Sequence, residues 1–123
     1  MSKRGFTLIE LLVVMTIIGV LLTIAVPRYF RTVARSKETV LKHDLSVMRE
    51  SIDKYYADIG QYPETLPVLA EKHYIRTVPV DPFTKSAETW VVAPSEDPDH
   101  PGVRDVHSGS PESGFDGTPF VSW

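Results

Sequence analysis

From Phe6 to Val26 the chain runs for 21 residues with one charge, Glu10. As a helix rising about 1.5 Å per residue this stretch spans about 31 Å. That matches a bilayer hydrocarbon core of about 30 Å. Past Pro27 the pattern changes. Leu41, Leu45, Met48, Ile52, Tyr55 or Tyr56, and Ile59 recur at spacings of three and four, with Val33 and Val40 extending the series upstream. Such spacing makes one apolar stripe along an amphipathic helix. Arg35, Lys37, Glu38, Lys42, Asp44, Arg49, Glu50, Asp53 and Lys54 mostly fill the other faces. Gly60 followed by Pro63 is a helix stop. The pattern predicts one helix from about Phe6 to Ile59. Gly19 and Pro27 bracket a weak stretch in it, because proline removes a backbone hydrogen bond and glycine costs up to about 1 kcal/mol against alanine.

Nine of the ten prolines lie from Pro63 onward, so long regular elements are not expected there. Residues 63–72 read as a turn and a short helix. Glu88 to Pro94 is β-branched and aromatic and ends at proline, the signature of a strand. Gly102 to Ser108 reads as its partner, with Ser95 to Pro101 as the loop between. Phe120 to Trp123 reads as a third short strand. The expected result is a small antiparallel sheet covering the apolar stripe of the helix.

Composition narrows the function classes. With 123 residues the chain holds one small core. The net charge of −3 gives no basic face for nucleic acid. The absence of cysteine excludes a disulfide scaffold, a thiolate zinc site and a thiol nucleophile. The charge is unevenly spread: residues 28–58 carry a net +2 and residues 59–123 a net −6. The four histidines show no ligand spacing for zinc: His43 and His73 stand singly, and His100 and His107 are seven apart. There is no glycine-rich phosphate loop, and Ser, His and Asp within 105–110 do not form a triad, whose members come from distant segments. The chain is not expected to be an enzyme.

Three readings compete for the apolar run. A secretory signal peptide has an apolar region of about 7–15 residues and a small-residue cleavage site; this run is longer, and Ala25-Val26-Pro27-Arg28 is a poor site. A plain signal anchor fits the length but leaves Glu10 unexplained, since a carboxylate at the bilayer centre costs roughly 2.5–3.5 kcal/mol. The third is a cleaved leader followed by an assembly helix.

Lys3-Arg4-Gly5-Phe6-Thr7-Leu8-Ile9-Glu10 resembles the class III leader junction of type IV pilins and pseudopilins. The resemblance implies cleavage by a prepilin peptidase between Gly5 and Phe6, with N-methylation of Phe6. It assigns residues 1–5 to the leader, 6–27 to a transmembrane and filament-core helix, and 28–123 to a periplasmic globular domain. It also implies an assembly role for Glu10, Gly19 and Pro27. The new Phe6 amine, with an ordinary pKa of about 7.7–8.0, would pair with Glu10 of a neighbouring subunit and set the axial register. The alternative is that Glu10 lies at the interface and is simply hydrated. In pilin-like filaments the stretch between Gly19 and Pro27 loses helicity as subunits pack; the bland reading is an ordinary proline kink.

The second half resembles the major (G-type) pseudopilins of type II secretion. The matching elements are Tyr62-Pro63, Tyr74-Ile75, Val78-Pro79-Val80-Asp81-Pro82-Phe83, Trp90-Val91-Val92, Asp105-Val106-His107-Ser108, Gly114-Phe115-Asp116-Gly117 and Trp123, in order. The implied fold is α+β and pilin-like: a long N-terminal helix on an antiparallel sheet of about three strands. No cofactor is required, but the family binds calcium in its C-terminal loop, and the positions matching here are Ser108 and Asp116, with Asp105 and Glu112 as additions. This sequence departs from the family in lacking the aspartate-rich run after Asp-Gly, where it has Thr118-Pro119-Phe120-Val121-Ser122. The alternative is a loop held by the packing of Pro111, Pro119 and Trp123.

The function this implies is structural: a subunit of a periplasmic pseudopilus that helps drive protein export across the outer membrane. Its partners would be copies of itself, minor pseudopilins, the prepilin peptidase and N-methyltransferase, an inner-membrane assembly platform, and membrane lipid before assembly. The chain would cross the inner membrane once with its domain in the periplasm. Arg28, Arg31 and Arg35 on the far side weaken the positive-inside signal of the basic leader. Two other classes stay open: a type IV major or minor pilin serving adhesion, motility or DNA uptake, and a single-pass membrane protein that binds a partner without polymerising.

Overall fold

The structure, a computed structural model, describes residues 4–123; Lys3 and the rest of the leader ahead of Arg4 lie outside the described residues. The elements follow in the order α1 (Leu8–Ile59), α2 (Leu66–Glu71), β1 (Val91–Pro94), β2 (Val103–His107) and a 3-10 turn over Phe120–Ser122. The chain divides into two compact units, one ending at Arg35 and the other spanning Ser36–Trp123.

The N-terminal unit is helical from Leu8 onward, and every described residue from Arg4 to Thr32 is exposed. A helix is the form that satisfies its backbone internally where no water is available. Its hydroxyls also turn inward. Thr16 donates to the Leu12 carbonyl at 2.8 Å, Thr23 to Val20 at 2.6 Å and Thr32 to Arg28 at 2.9 Å. Pro27 lies inside α1.

In the C-terminal unit, α1 contributes Leu41, Leu45, Met48 and Ile52 to the core. They meet Leu66 and Leu69 of α2, Ile75, Trp90, Val103 and Val106 of β2, and Phe120. The stripe is narrower than the spacing predicts: Val40 and Ile59 are about half exposed, and Ser51 takes a buried place, donating to the Val47 carbonyl at 2.8 Å. The two tyrosine candidates divide. Tyr55 packs against the core, while Tyr56 stacks on Tyr62 at 4.5 Å. The stop is where the sequence places it: Gly60 donates to the Tyr56 carbonyl at 2.8 Å and α1 ends at Ile59.

The sheet has two strands rather than three. β1 and β2 pair antiparallel, with Val92 opposite Val106 and the register breaking between Ala93 and Pro94. Proline has no N–H to give the ladder, so the break falls there. β1 is also shorter than expected, since Trp90 turns inward and donates its indole N–H to the Pro79 carbonyl at 2.8 Å. The expected third strand is instead the 3-10 turn, closed by Ser122 N–H to Pro119 O at 3.0 Å and Trp123 N–H to Phe120 O at 3.1 Å. Coiling buries the Phe120 ring, stacked on Phe83 at 4.2 Å with Trp123 edge-on at 4.7 Å. An extended chain would leave an unpaired sheet edge and less contact for that ring.

The hairpin loop is anchored against the end of α1 through Gly102. Its φ is +129°, and a Cβ there would stand 2.7 Å from the Tyr62 carbonyl oxygen and 2.8 Å from that of Pro63. Gly117 also has a positive φ, +83°, but open space around it. Gly117→Ala is therefore expected to cost about 1–2 kcal/mol, the usual left-handed penalty, and Gly102→Ala clearly more. Denaturant unfolding of the two variants checks the order, and equal costs would refute the close-approach argument.

Candidate functional site

The junction comes first. Gly5 and Phe6 precede α1 in chain without regular structure, and the Phe6 side chain is 89% exposed. Nothing lies within 4 Å of a Cβ built on Gly5. The peptide between them is thus open to an enzyme. Directly after it, Thr7 and Glu10 bond each other reciprocally. Glu10 N–H donates to the Thr7 hydroxyl at 3.2 Å, and Thr7 N–H to a Glu10 carboxylate oxygen at 3.4 Å. This is a capping box, which satisfies two of the free N–H groups at a helix start. Its signal, threonine followed three residues later by glutamate, is plain in the sequence, although Glu10 is there read as a partner for an amine or as a hydrated interfacial group. Gly19 faces open space, with nothing within 4 Å of a Cβ. Pro27 sits four residues after Thr23, the last threonine of the apolar run, within a helix that continues through it.

The second place is the C-terminal segment, where the sequence puts Asp105, Ser108, Glu112 and Asp116 together. The structure sends them to different partners. Asp105 Oδ1 accepts from Arg49 Nε at 2.7 Å and from the Val106 N–H at 2.8 Å. Ser108 is fully buried and donates to Asp81 Oδ2 at 2.5 Å. Glu112 is exposed, and its carbonyl accepts from the Phe120 N–H at 3.0 Å. Asp116 Oδ1 accepts from the Thr118 hydroxyl at 2.6 Å and N–H at 3.0 Å. Calcium requires six to eight oxygens around one point. Among the described residues no three His, Asp or Glu side chains gather closely enough to hold a metal ion. These four residues do not fit a calcium ion in this arrangement, because Asp105, Ser108 and Asp116 are each drawn to a different partner and Glu112 joins none of them.

Two groups that the sequence reading passes over organise this segment. One is Arg49, on α1 beside Met48. Besides Asp105 it reaches the Val106 carbonyl at 2.9 Å and the Trp123 main-chain oxygen at 2.5 Å, both from Nη2. His107 Nδ1 lies 2.8 Å from the same Trp123 oxygen. That oxygen only accepts, so the contact is a hydrogen bond in the tautomer that carries the proton on Nδ1. The other is Asp81, fully buried, whose Oδ1 accepts from the Phe83 N–H at 2.8 Å while Oδ2 takes the Ser108 hydroxyl. It ties the Asp81-Pro82-Phe83 loop to the end of β2. Glu38 adds a third tie, accepting from the Phe115 N–H at 2.8 Å. Arg49 and Asp81 share their distance from the apolar pattern, which is what the sequence reading follows.

Burial pushes the Asp105 carboxyl up, but the Val106 N–H and the Arg49 guanidinium outweigh it and leave the group below its ordinary value of 3.8. A carboxylate depressed in the folded state stabilises the fold above the unfolded pKa and loses that contribution as pH falls through the folded value. Both side chains are more than a third exposed, so solvent screening holds the effect to roughly 1 kcal/mol or less. Asp105→Asn is expected to flatten the fall in stability below about pH 3.8. Melting curves across pH 2–6 of both proteins check this, and parallel curves would refute it.

Residues 1–26 match the family described as Prokaryotic N-terminal methylation motif. Over 96% of its length the chain is 30% identical to the type II secretion system core protein G of Klebsiella michiganensis, of which it covers 87%. The core protein G of Escherichia coli K12 is likewise 30% identical, over 90% of this chain and 83% of that protein. The type IV major pilin PilA of Myxococcus xanthus is 38% identical, but over 50% of this chain and 28% of the pilin. No solved structure matches. An apolar helix long enough to cross a membrane, an open Gly5–Phe6 junction within the matched motif, and likeness to core protein G through the globular unit together place the chain in the core protein G family of type II secretion systems.

Proposed function

We propose that this chain is the structural subunit of a periplasmic type II secretion pseudopilus, assembling into a helical filament that helps drive protein export across the outer membrane. The observation that carries the reading is the run of likeness to core protein G along 96% of the chain, beginning at the methylation motif. The role is mechanical, and the substrate and the motor belong to other proteins.

In this reading a prepilin peptidase cuts between Gly5 and Phe6 and methylates the Phe6 amine. Loss of Lys3 and Arg4 moves the net charge from −3 to −5. The apolar part of α1 holds the subunit in the inner membrane, with the unit Ser36–Trp123 in the periplasm. The new amine and the Glu10 carboxylate are both costly alone in lipid, and pairing them between subunits offsets part of both penalties. Before assembly the bonds to Thr7 give the Glu10 carboxylate a local partner, which lowers the cost of keeping it in the membrane. A head-to-tail contact that does not close produces a filament. The stretch from Gly19 to Pro27 is where α1 gives way as neighbours pack, since Pro27 leaves one carbonyl unpaired. Minor pseudopilins and an inner-membrane assembly platform complete the apparatus.

A type IV pilin is the second reading, favoured by the likeness to the Myxococcus xanthus pilin. That likeness covers half of this chain, so it bears on the shared helix more than on the globular unit. Imaging decides between them: short periplasmic filaments support the first reading and extracellular fibres the second.

Intact mass of the chain from membranes, with and without co-expressed prepilin peptidase, tests the class. Loss of Met1 to Gly5 plus one methyl group is expected; an uncleaved chain beside an active peptidase overturns it. Glu10→Ala is expected to be cleaved normally and yet to lower filament yield about tenfold or more, the equivalent of at least ~1.4 kcal/mol of pairing. Undiminished filaments would remove Glu10 from assembly.

A further inference from the structure

We infer that the C-terminal segment of this chain is closed by the Arg49 guanidinium and not by a bound divalent cation. The inference concerns the unit Ser36–Trp123 alone and stands whether or not the chain forms a filament.

The segment from Ser108 to Trp123 contains only the 3-10 turn and an isolated bridge between Ser113 and Pro119. Something other than a sheet ladder must therefore hold it. Arg49 is placed to do this because α1 carries it against the end of β2. From one side chain it donates to a carboxylate, Asp105, and to two main-chain oxygens, those of Val106 and Trp123. These acceptors come from segments 56 to 74 residues away along the chain. Carboxylates and main-chain carbonyls are the oxygen types that calcium takes. Here they surround a planar cation whose five donors are fixed in direction.

The surroundings agree. Lys42, about two helical turns before Arg49, sets its ammonium 4.8 Å from the centre of the Trp123 ring. The indole N–H of Trp123 in turn donates to the Thr118 hydroxyl at 2.6 Å. Lys42, Arg49, Asp116, Thr118 and Trp123 line one cavity, whose side chains bring two cations against one carboxylate. A divalent cation entering it would meet repulsion from both, with Asp116 already bonded to Thr118. Where the sequence lacks an aspartate-rich ending, the charge that closes the segment is carried by the chain itself.

Calcium titration of the full chain in detergent is the test, read by calorimetry and by melting temperature in calcium chloride and in a chelator. The expected result is no saturable heat and melting temperatures within about 1 °C of each other, well under the 4–8 °C that ~1 kcal/mol of binding would produce. Arg49→Gln is expected to lower the melting temperature by about 4–8 °C and to raise the share of tryptophan emission quenched by iodide, because Trp123 is released while Trp90 stays buried. Calcium should restore neither. Arg49→Lys keeps the charge and loses the fork, and it should fall nearer Arg49→Gln than wild type; it replaces that variant in the assay should Arg49→Gln not fold. Saturable calcium binding that raises the wild-type melting temperature overturns the inference. So does an Arg49 variant with unchanged melting and quenching.

Discussion

One helix, α1, has to serve two surroundings, and the rest of the molecule follows from how its surface is divided. From Phe6 to Val26 the side chains are exposed on every face and nearly all apolar, which suits lipid or the packed centre of a filament. From Leu41 onward apolar side chains keep to one stripe, so that a small unit can cover it. The hydroxyls that interrupt the first part bond to their own helix, leaving the glutamate as the polar group that has to be accounted for. The capping box with Thr7 shows that Glu10 has a use even in an isolated chain, and intersubunit pairing can draw on the same carboxylate.

A small unit on a single helix cannot rely on a large sheet. The two-stranded hairpin buries Val103 and Val106 but leaves Val91 and Val92 about half exposed. What fixes the remaining chain is a series of polar ties: Asp81 to Ser108, Glu38 to the Phe115 N–H, the Val103 N–H to the Pro63 carbonyl, and Arg49 to Asp105 and Trp123. Each joins segments far apart in sequence, so each restrains chain that nine prolines keep from forming long regular structure.

This explains which parts were legible in the sequence. The span of α1, its stop before Pro63, the short α2 and the hairpin strands are local, set by periodicity, capping and β-branched content. The pilin-like α+β architecture was legible from the order of motifs. The third strand was misread because Phe120-Val121-Ser122-Trp123 has strand-like composition, while burial of Phe120 against Phe83 favours a coil of three residues. Val40 and Ile59 were misread because their spacing matches a stripe whose ends the small unit does not reach. The polar ties left no periodic trace at all. Arg49 looks like one more charge on the outer face of an amphipathic helix until the chain brings Asp105 and Trp123 to it.

The calcium expectation came from the family resemblance and its matching positions, and matching positions are not coordination. A metal site needs oxygens that converge on a point and are not otherwise engaged. Here Asp105 and Asp116 are engaged by donors of the chain, Arg49 and the Val106 N–H for one and Thr118 for the other. Those bonds also lower both carboxyl groups, so their negative charge is stabilised without a metal. Arg49 and Thr118 thus supply from within the chain the donors that these two carboxylates use.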